Sequence, residues 1–155
     1  KILFPNAKFI FALRHPMDVV LSCFQQNFTT NAQMSFLNTL ESTTQRYVDV
    51  MQHFNENKLI IDEADILYTK YEDLINNFDD EVKRIMNYVG ILDIDQIYQE
   101  FNKLESNKLI TTASKDQVNK GLYSGSINRW KHYEPYIKTS LNKLSSIIEY
   151  WGYEK

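Results

Sequence analysis

The stretch FIFALRHPMDVVLS, residues 9–22, constrains the fold of this chain more than any other feature. Residues 8–13 are nearly all apolar, which is typical of a strand covered on both faces, as in a parallel sheet. Pro16 then suits the first turn of a helix, where its missing N–H is one that a helix start leaves unpaired. Apolar residues keep helical spacing over residues 19–28. The sequence therefore predicts a strand, a tight turn and a helix in immediate succession.

Strand and helix patterns continue to alternate after this unit. A long helix is predicted over residues 35–57, a strand over 66–70, and a further helix that Asp79 or Asp80 caps and Gly90 ends. The apolar stripe of the long helix is formed by Phe36, Leu40, Tyr47, Met51 and Phe54. Such alternation favours an α/β architecture with a parallel sheet flanked by helices.

The last third of the chain has a different character. A short helix is expected over residues 94–104, and residues 106–126 have no steady period, so they are interpreted as a loop that orders on binding. A final helix is expected from about Pro135. Its apolar face is formed by Ile137, Leu141, Leu144, Ile148 and Trp151. With 155 residues, 43% of them hydrophobic, we expect a single domain over residues 1–155.

Composition excludes several classes of function. A formal net charge of −3 argues against general nucleic-acid binding. The single cysteine, Cys23, has no internal disulfide partner, and the three scattered histidines show no metal-ligand spacing. No run of about 18 apolar residues and no signal-peptide pattern occurs. We therefore expect a cytoplasmic protein without a metal or a membrane partner, and the start KILFPNAKFIF, without methionine, is expected to belong to a longer chain.

Arg14 lies at the junction of the first strand and helix, where open α/β sheets usually bind ligands. A guanidinium suits phosphate, the N–H groups of the helix start add partial positive charge, and Ser22 offers a hydroxyl to the same anion. Two structural alternatives remain open. In the first, Arg14 pairs with Asp18 while Ser22 faces solvent. In the second, His15 is a hydrogen-bonded structural residue rather than a general base.

These residues carry a resemblance to a known family. The segment FPNAKFIFALRHPMDVVLSCFQQNF resembles the 3′-phosphate-binding segment of PAPS-dependent sulfotransferases, with an apolar strand, R-x-P-x-D, and a serine eight residues after the arginine. It is most similar to the bacterial group often fused to tetratricopeptide repeats and to the tyrosylprotein sulfotransferases. The resemblance implies that Arg14 and Ser22 bind the 3′-phosphate of PAPS or of its product, adenosine 3′,5′-bisphosphate.

Two later segments support the resemblance in the same order. LYTKYEDL is similar to the family strand ending in Y-E-D-L, which implies that Tyr71 packs near the adenine. TTASKDQVNKGLYSGSINRWKHYEPY is similar to the family's loop and the R-W-x-x-Y that follows it. By this resemblance Ser114 or Lys115 lies near the sulfate, and Tyr123 and Arg129 bind the nucleotide, with Arg129 near the phosphates. By pattern alone, the first segment is a strand end followed by the acidic residues of a helix start. The second is a surface loop anchored by Trp130.

The chain also departs from the family pattern. No loop of the P-x-S-G-T-T type, which holds the 5′-phosphosulfate, occurs here, and the first glycine is Gly90. In the family, the acid or histidine that acts as base on the acceptor normally precedes the R-x-P segment. Gln26 stands where tyrosylprotein relatives have a second arginine. The chain is thus expected to be the C-terminal portion of a P-loop-NTPase-like sulfotransferase fold, weak or inactive by itself, in a parent with a possible N-terminal repeat domain.

The expected reaction is sulfuryl transfer from PAPS to a hydroxyl or amine of a small-molecule or peptide acceptor. Its rival is a non-catalytic α/β interaction or oligomerisation module, in which the aromatic-rich helices at 35–57 and 135–151 present partner surfaces. A nucleotide kinase-like phosphotransferase is a weaker third alternative, because no glycine loop is available for ATP.

Overall fold

The computed structural model describes residues 3–26, 35–91 and 124–154, which fall into two compact units. Lys1–Leu13 and Glu63–Ser124 make the first, which we name the sheet unit. Arg14–Asp62 and Gly125–Lys155 make the second, which we name the helical unit. Each unit therefore combines two stretches that are far apart in the sequence.

The sheet unit contains two parallel strands, β1 (Phe9–Leu13) and β2 (Ile66–Lys70). Phe9 pairs with Ile66 and Leu13 with Lys70, so the register runs without a bulge. Both predicted strands and their parallel pairing are confirmed. The expectation that β1 is covered on both faces is not met, since Ile10 is 46% exposed. Within the described residues, β1 has a single neighbouring strand.

Two helices follow β2 in the sheet unit, α3 (Tyr71–Asn76) and α4 (Phe78–Val89). The α4 helix begins after Asn77, two or three residues earlier than the predicted caps, so Asp79 and Asp80 lie in its first turn. There their charge favours the positive end of the helix dipole. Gly90 ends α4 with a φ of 85°, as predicted, because glycine adopts left-handed geometry without a steric cost.

The helical unit contains three main helices, α1 (Pro16–Gln25), α2 (Leu40–Asn57) and α5 (Glu134–Tyr150). The predicted helix over residues 35–57 is in fact a 3-10 turn at Ser35–Leu37 followed by α2. The Thr39 side chain accepts the N–H of Ser42, which fixes the start of α2. Phe36 consequently lies outside the helix and is 54% exposed, so it is not part of the apolar stripe.

The core of the helical unit joins both of its chain stretches. Its buried residues are Met17, Val20, Leu21, Trp130, Ile137, Leu144 and Ile148. The first three come from α1, the next belongs to a 3-10 turn at Arg129–Tyr133, and the others come from α5. Leu40, Tyr47 and Val48 of α2 pack against this cluster. The apolar spacing of α5 thus predicted its side of the core. The spacing over residues 19–28 did so less well, since Val20 lies in the core but Phe24 is 39% exposed, and Met17 and Leu21 were not part of the pattern.

No helix within the described ranges is long and apolar enough to cross a lipid bilayer.

Candidate anion-binding site

His15 caps the first turn of α1 and is held on both sides of its ring. Its Nδ1 accepts the N–H of Met17 at 3.2 Å, and its Nε2 donates to the carbonyl of Glu154 at 2.9 Å. The ring also stacks on Trp130, with 4.9 Å between centroids. With 2% exposure and both nitrogens engaged, His15 has the arrangement of a structural histidine rather than a general base.

Arg14 lies directly before His15, between β1 and α1 in the chain, and we call this junction the Arg14 corner. Its Nη2 donates to the carbonyl oxygen of Ser126 at 2.6 Å, so the guanidinium has a defined position. The positive charge of Arg14 acts on the Asp18 carboxylate and on the Cys23 thiol, and it opposes the rise in pKa that burial causes in both groups. The guanidinium therefore lies within electrostatic range of both residues.

Asp18 is 1% exposed, and its carboxylate is used by the backbone of a distant segment. Oδ2 accepts the N–H of Asn128 and Oδ1 accepts the N–H of Trp130, both at 2.8 Å. Burial raises the pKa of Asp18, while these hydrogen bonds and the charges of Arg14 and His15 act in the opposite direction. The charge of Arg14 does act on Asp18, as in the alternative that pairs the two residues, but the carboxylate also binds two backbone N–H groups.

Ser22 lies in α1 and is half-buried. It follows Asp18 by four residues, so the two side chains share one face of the helix. The charge of Arg14 acts on Asp18 and on Cys23, which precede and follow Ser22 in the chain. Ser22 thus shares a helix face with Asp18, a residue on which the charge of Arg14 acts.

The start of α1 is not an open anion site, contrary to the expectation from the sequence. Pro16 has no N–H, and the N–H of Met17 already donates to His15. Pro16, Met17 and Asp18 are buried. The first two positions of α1 therefore offer no free N–H to an anion.

Arg129 lies between the two residues that Asp18 binds, and it is exposed. Its side chain is hydrogen-bonded to the hydroxyl of Tyr133, which also hydrogen-bonds to Gln25. The Arg129 hydrogen bond is the main cause that lowers the pKa of Tyr133. Sequence reasoning missed Tyr133 and Gln25 as members of this site. The spacing of four residues in R-W-x-x-Y was the available signal for Tyr133.

Tyr71 belongs to the sheet unit, where it is the first residue of α3 and directly follows β2. A hydrogen-bond network supports the end of this strand: Thr69 donates to Glu81 at 2.6 Å, and Arg84 donates to both Glu81 and the carbonyl of Tyr68. The acids after Tyr71, Glu72 and Asp73, lie in the first turn of α3, as the pattern alone predicted. Ser114, Lys115 and Tyr123, like the helix expected at 94–104 and most of the 106–126 loop, lie outside the described residues.

Two clefts of the helical unit lie on other faces. The larger, of about 440 Å³, follows the surface of α5 around Leu141, and the other, of about 380 Å³, lies between α2 and α5 around Asn55. Neither is lined by Arg14 or Ser22. The candidate anion site at Arg14 is therefore separate from both clefts.

No solved structure matches the chain. An uncharacterized protein of Aquifex aeolicus (strain VF5) is 26% identical over 140 residues, which cover 88% of this chain and 18% of that protein. The chain thus spans less than a fifth of the length of this relative. The model of the sulfotransferase family matches residues 1–95, a range that includes Arg14, Ser22 and Tyr71 but not Arg129. Because this match covers more than half of the sequence, the chain belongs to the sulfotransferase family.

Proposed function

We propose that this chain carries the nucleotide-binding half of an enzyme that transfers a sulfuryl group from PAPS to a hydroxyl or amine of a small-molecule or peptide acceptor. Membership of the sulfotransferase family supports the reaction class. In this reaction the bond between sulfur and the 5′-phosphate oxygen breaks, and a bond from sulfur to the acceptor forms. The acceptor loses its proton, and adenosine 3′,5′-bisphosphate leaves.

The 3′-phosphate is assigned to Arg14 and Ser22. The observation that carries this assignment is that Arg14, fixed by its hydrogen bond to Ser126, lies directly before the N-cap of α1, the helix that carries Ser22. A planar cation and a hydroxyl together supply the donors that a phosphate dianion needs. The half-buried position of Ser22 favours strong hydrogen bonding, because water competes less there than at an open surface.

The other contacts of the nucleotide follow from the resemblance. Tyr71 is assigned to the adenine, Tyr123 and Arg129 to the nucleotide, and Ser114 or Lys115 to the sulfate. For Arg129, the hydrogen bond to Tyr133 supports the assignment, since it restricts a long side chain before the ligand arrives. The sequence lacks the family's phosphosulfate loop, so we expect the 155-residue chain to bind the nucleotide but to transfer sulfate weakly or not at all.

The test is a calorimetric titration of the chain with adenosine 3′,5′-bisphosphate. Arg14→Ala is expected to weaken binding by about 1.5 to 3 kcal/mol, roughly 10- to 150-fold, because charged hydrogen bonds to the phosphate are lost. Arg46→Ala is the matched control, since it removes the same charge from the exposed side of α2, where Arg46 lies over the Phe36 ring. It should leave the affinity unchanged.

A parallel titration with ATP separates the alternatives. Preference for adenosine 3′,5′-bisphosphate supports the proposal, whereas preference for ATP would favour a phosphotransferase. Failure of the parent chain to bind either nucleotide would favour the non-catalytic interaction module. Equal affinity of Arg14→Ala and the parent would remove Arg14 from the site.

A further inference from the structure

The carboxylate of Asp18 binds the backbone on both sides of Arg129. One oxygen accepts the N–H of Asn128 and the other accepts the N–H of Trp130, each at 2.8 Å. The two contacts span 110 and 112 residues of sequence. A single side chain thus binds the peptide unit between Ile127 and Asn128 and the one between Arg129 and Trp130. It holds the backbone on both sides of Arg129, and with it the direction in which the Arg129 side chain leaves the backbone.

The backbone that Asp18 holds has an uncommon conformation. Asn128 has φ 56° and ψ 22°, in the left-handed region. Among the described residues it is the one non-glycine residue with positive φ. Asparagine tolerates this region better than most residues, but the conformation still needs support from its surroundings. The hydrogen bond to Asp18 supplies that support at the residue before Arg129.

Burial makes the Asp18 contacts hard to replace. Asp18 is 1% exposed and Trp130 is 2% exposed, so water cannot readily take the place of the carboxylate. Removing an acceptor from buried N–H groups leaves them unsatisfied, which costs more than the hydrogen bond itself gains. We therefore expect the backbone around Arg129 to rearrange when the carboxylate is removed.

We propose that Asp18 is a positioning residue that fixes Arg129 for binding the nucleotide phosphates. This inference rests on the proposed function, because it assigns Asp18 a role in the same site. Tyr133 assists at the other end of the side chain, where its hydroxyl is hydrogen-bonded to Arg129. Asp18 does not contact the ligand and acts through Arg129.

A double-mutant cycle tests this role with adenosine 3′,5′-bisphosphate in calorimetry. Asp18→Asn replaces one acceptor oxygen by an NH₂ group that faces a backbone donor, and it is expected to weaken binding about tenfold. Arg129→Ala is expected to weaken binding to a similar extent, and the double variant no further than Arg129→Ala alone. Glu81→Gln, which changes a buried carboxylate of the sheet unit, is the control and should add its effect independently to that of Arg129→Ala.

A second pair of variants covers the case in which Asp18→Asn does not fold. Asn128 is exposed, and both Asn128→Gly and Asn128→Ala keep the backbone N–H that Asp18 binds. Asn128→Gly should bind like the parent, because glycine adopts left-handed geometry freely. Asn128→Ala should bind about three- to fivefold more weakly, and this loss should vanish in the Arg129→Ala background.

The outcomes separate this inference from the proposed function. If the parent binds and the losses from Asp18→Asn, or from Asn128→Ala, add fully to that of Arg129→Ala, the positioning role is overturned while the proposed function stands. If the parent does not bind adenosine 3′,5′-bisphosphate, both fail. Non-additive losses with a parent-like Asn128→Gly support the inference.

Discussion

Two buried carboxylates, Asp18 and Glu81, have pKa shifts of opposite sign because burial outweighs the partner contacts in Asp18 and the partner contacts outweigh burial in Glu81. Asp18 accepts from backbone N–H groups, and the cost of burial exceeds their effect, so its pKa rises. Glu81 accepts from the guanidinium of Arg84 and from Thr69, and its pKa lies below the usual value of 4.5. A cation in direct contact offsets the desolvation of a carboxylate better than neutral donors do.

The pKa of Glu81 predicts how stability depends on pH. A carboxylate whose pKa is depressed by folding stabilises the protein above its unfolded-state pKa, and this contribution is lost as pH falls through the folded-state pKa. Glu81→Gln should therefore lose about 1 kcal/mol of unfolding free energy at pH 7, a modest value because the Arg84 side chain is 43% exposed.

Urea unfolding of the parent and Glu81→Gln at several pH values measures this effect. The difference between the two proteins should shrink as pH falls below 4.5, the usual pKa of the group. Asp80→Asn, which changes an exposed carboxylate in the first turn of the same helix, should show a much smaller difference. A difference for Glu81→Gln that stays constant with pH would contradict the assigned pKa shift.

At the scale of elements, the helices begin with different amounts of capping. The α2 helix begins with a capping box, in which Thr39 accepts from the N–H of Ser42 and Ser42 accepts from the N–H of Thr39. The α4 helix begins after Asn77 without a side-chain hydrogen bond at that position. The start of α2 is thus determined locally, whereas α4 relies more on its acidic first turn and its packing.

Removal of the α2 cap should be measurable. Thr39→Ala is expected to lower the free energy of unfolding by about 1 kcal/mol, because the first turn of α2 loses an acceptor for its N–H groups. Asn38→Ala, one residue earlier and also exposed, is the control. Thermal or urea unfolding of the two variants gives the comparison, and equal stability of both would show that the cap contributes little.

At the scale of the whole molecule, the chain forms two units, each built from two separate stretches. In the helical unit, α1 precedes Trp130 and α5 by about a hundred residues, yet all contribute to one core. A core of this kind forms only after a long loop has closed, and the entropy of closure must be repaid by apolar burial. The core of the helical unit therefore determines whether the Arg14 corner forms.

Leu144 tests this dependence, since it is fully buried in that core. Leu144→Ala is expected to lower the free energy of unfolding by about 2 to 5 kcal/mol through lost burial and the resulting cavity. Asn142→Ala, on the exposed side of α5, should change it by less than about 0.5 kcal/mol. Similar losses for both variants, measured by urea unfolding, would show that Leu144 does not pack as described.

Local order was readable from the sequence because it depends on short-range sterics and periodicity. The strands, the helix start at Pro16, the helix end at Gly90 and the apolar face of α5 each have a signal within a few residues. The R-x-P-x-D segment with Ser22 likewise carried the family resemblance, and the family match confirms it at the level of the sulfotransferase family. The roles of the site residues remain predictions.

The tertiary structure alone decided how the corner is held together. No periodicity or local motif predicts that Asp18 binds Asn128 and Trp130, or that His15 donates to Glu154, because these partners are more than a hundred residues away. Backbone N–H and carbonyl groups occur at nearly every residue, so the sequence does not mark which of them a buried side chain will bind. That choice depends on which segments the apolar core brings together.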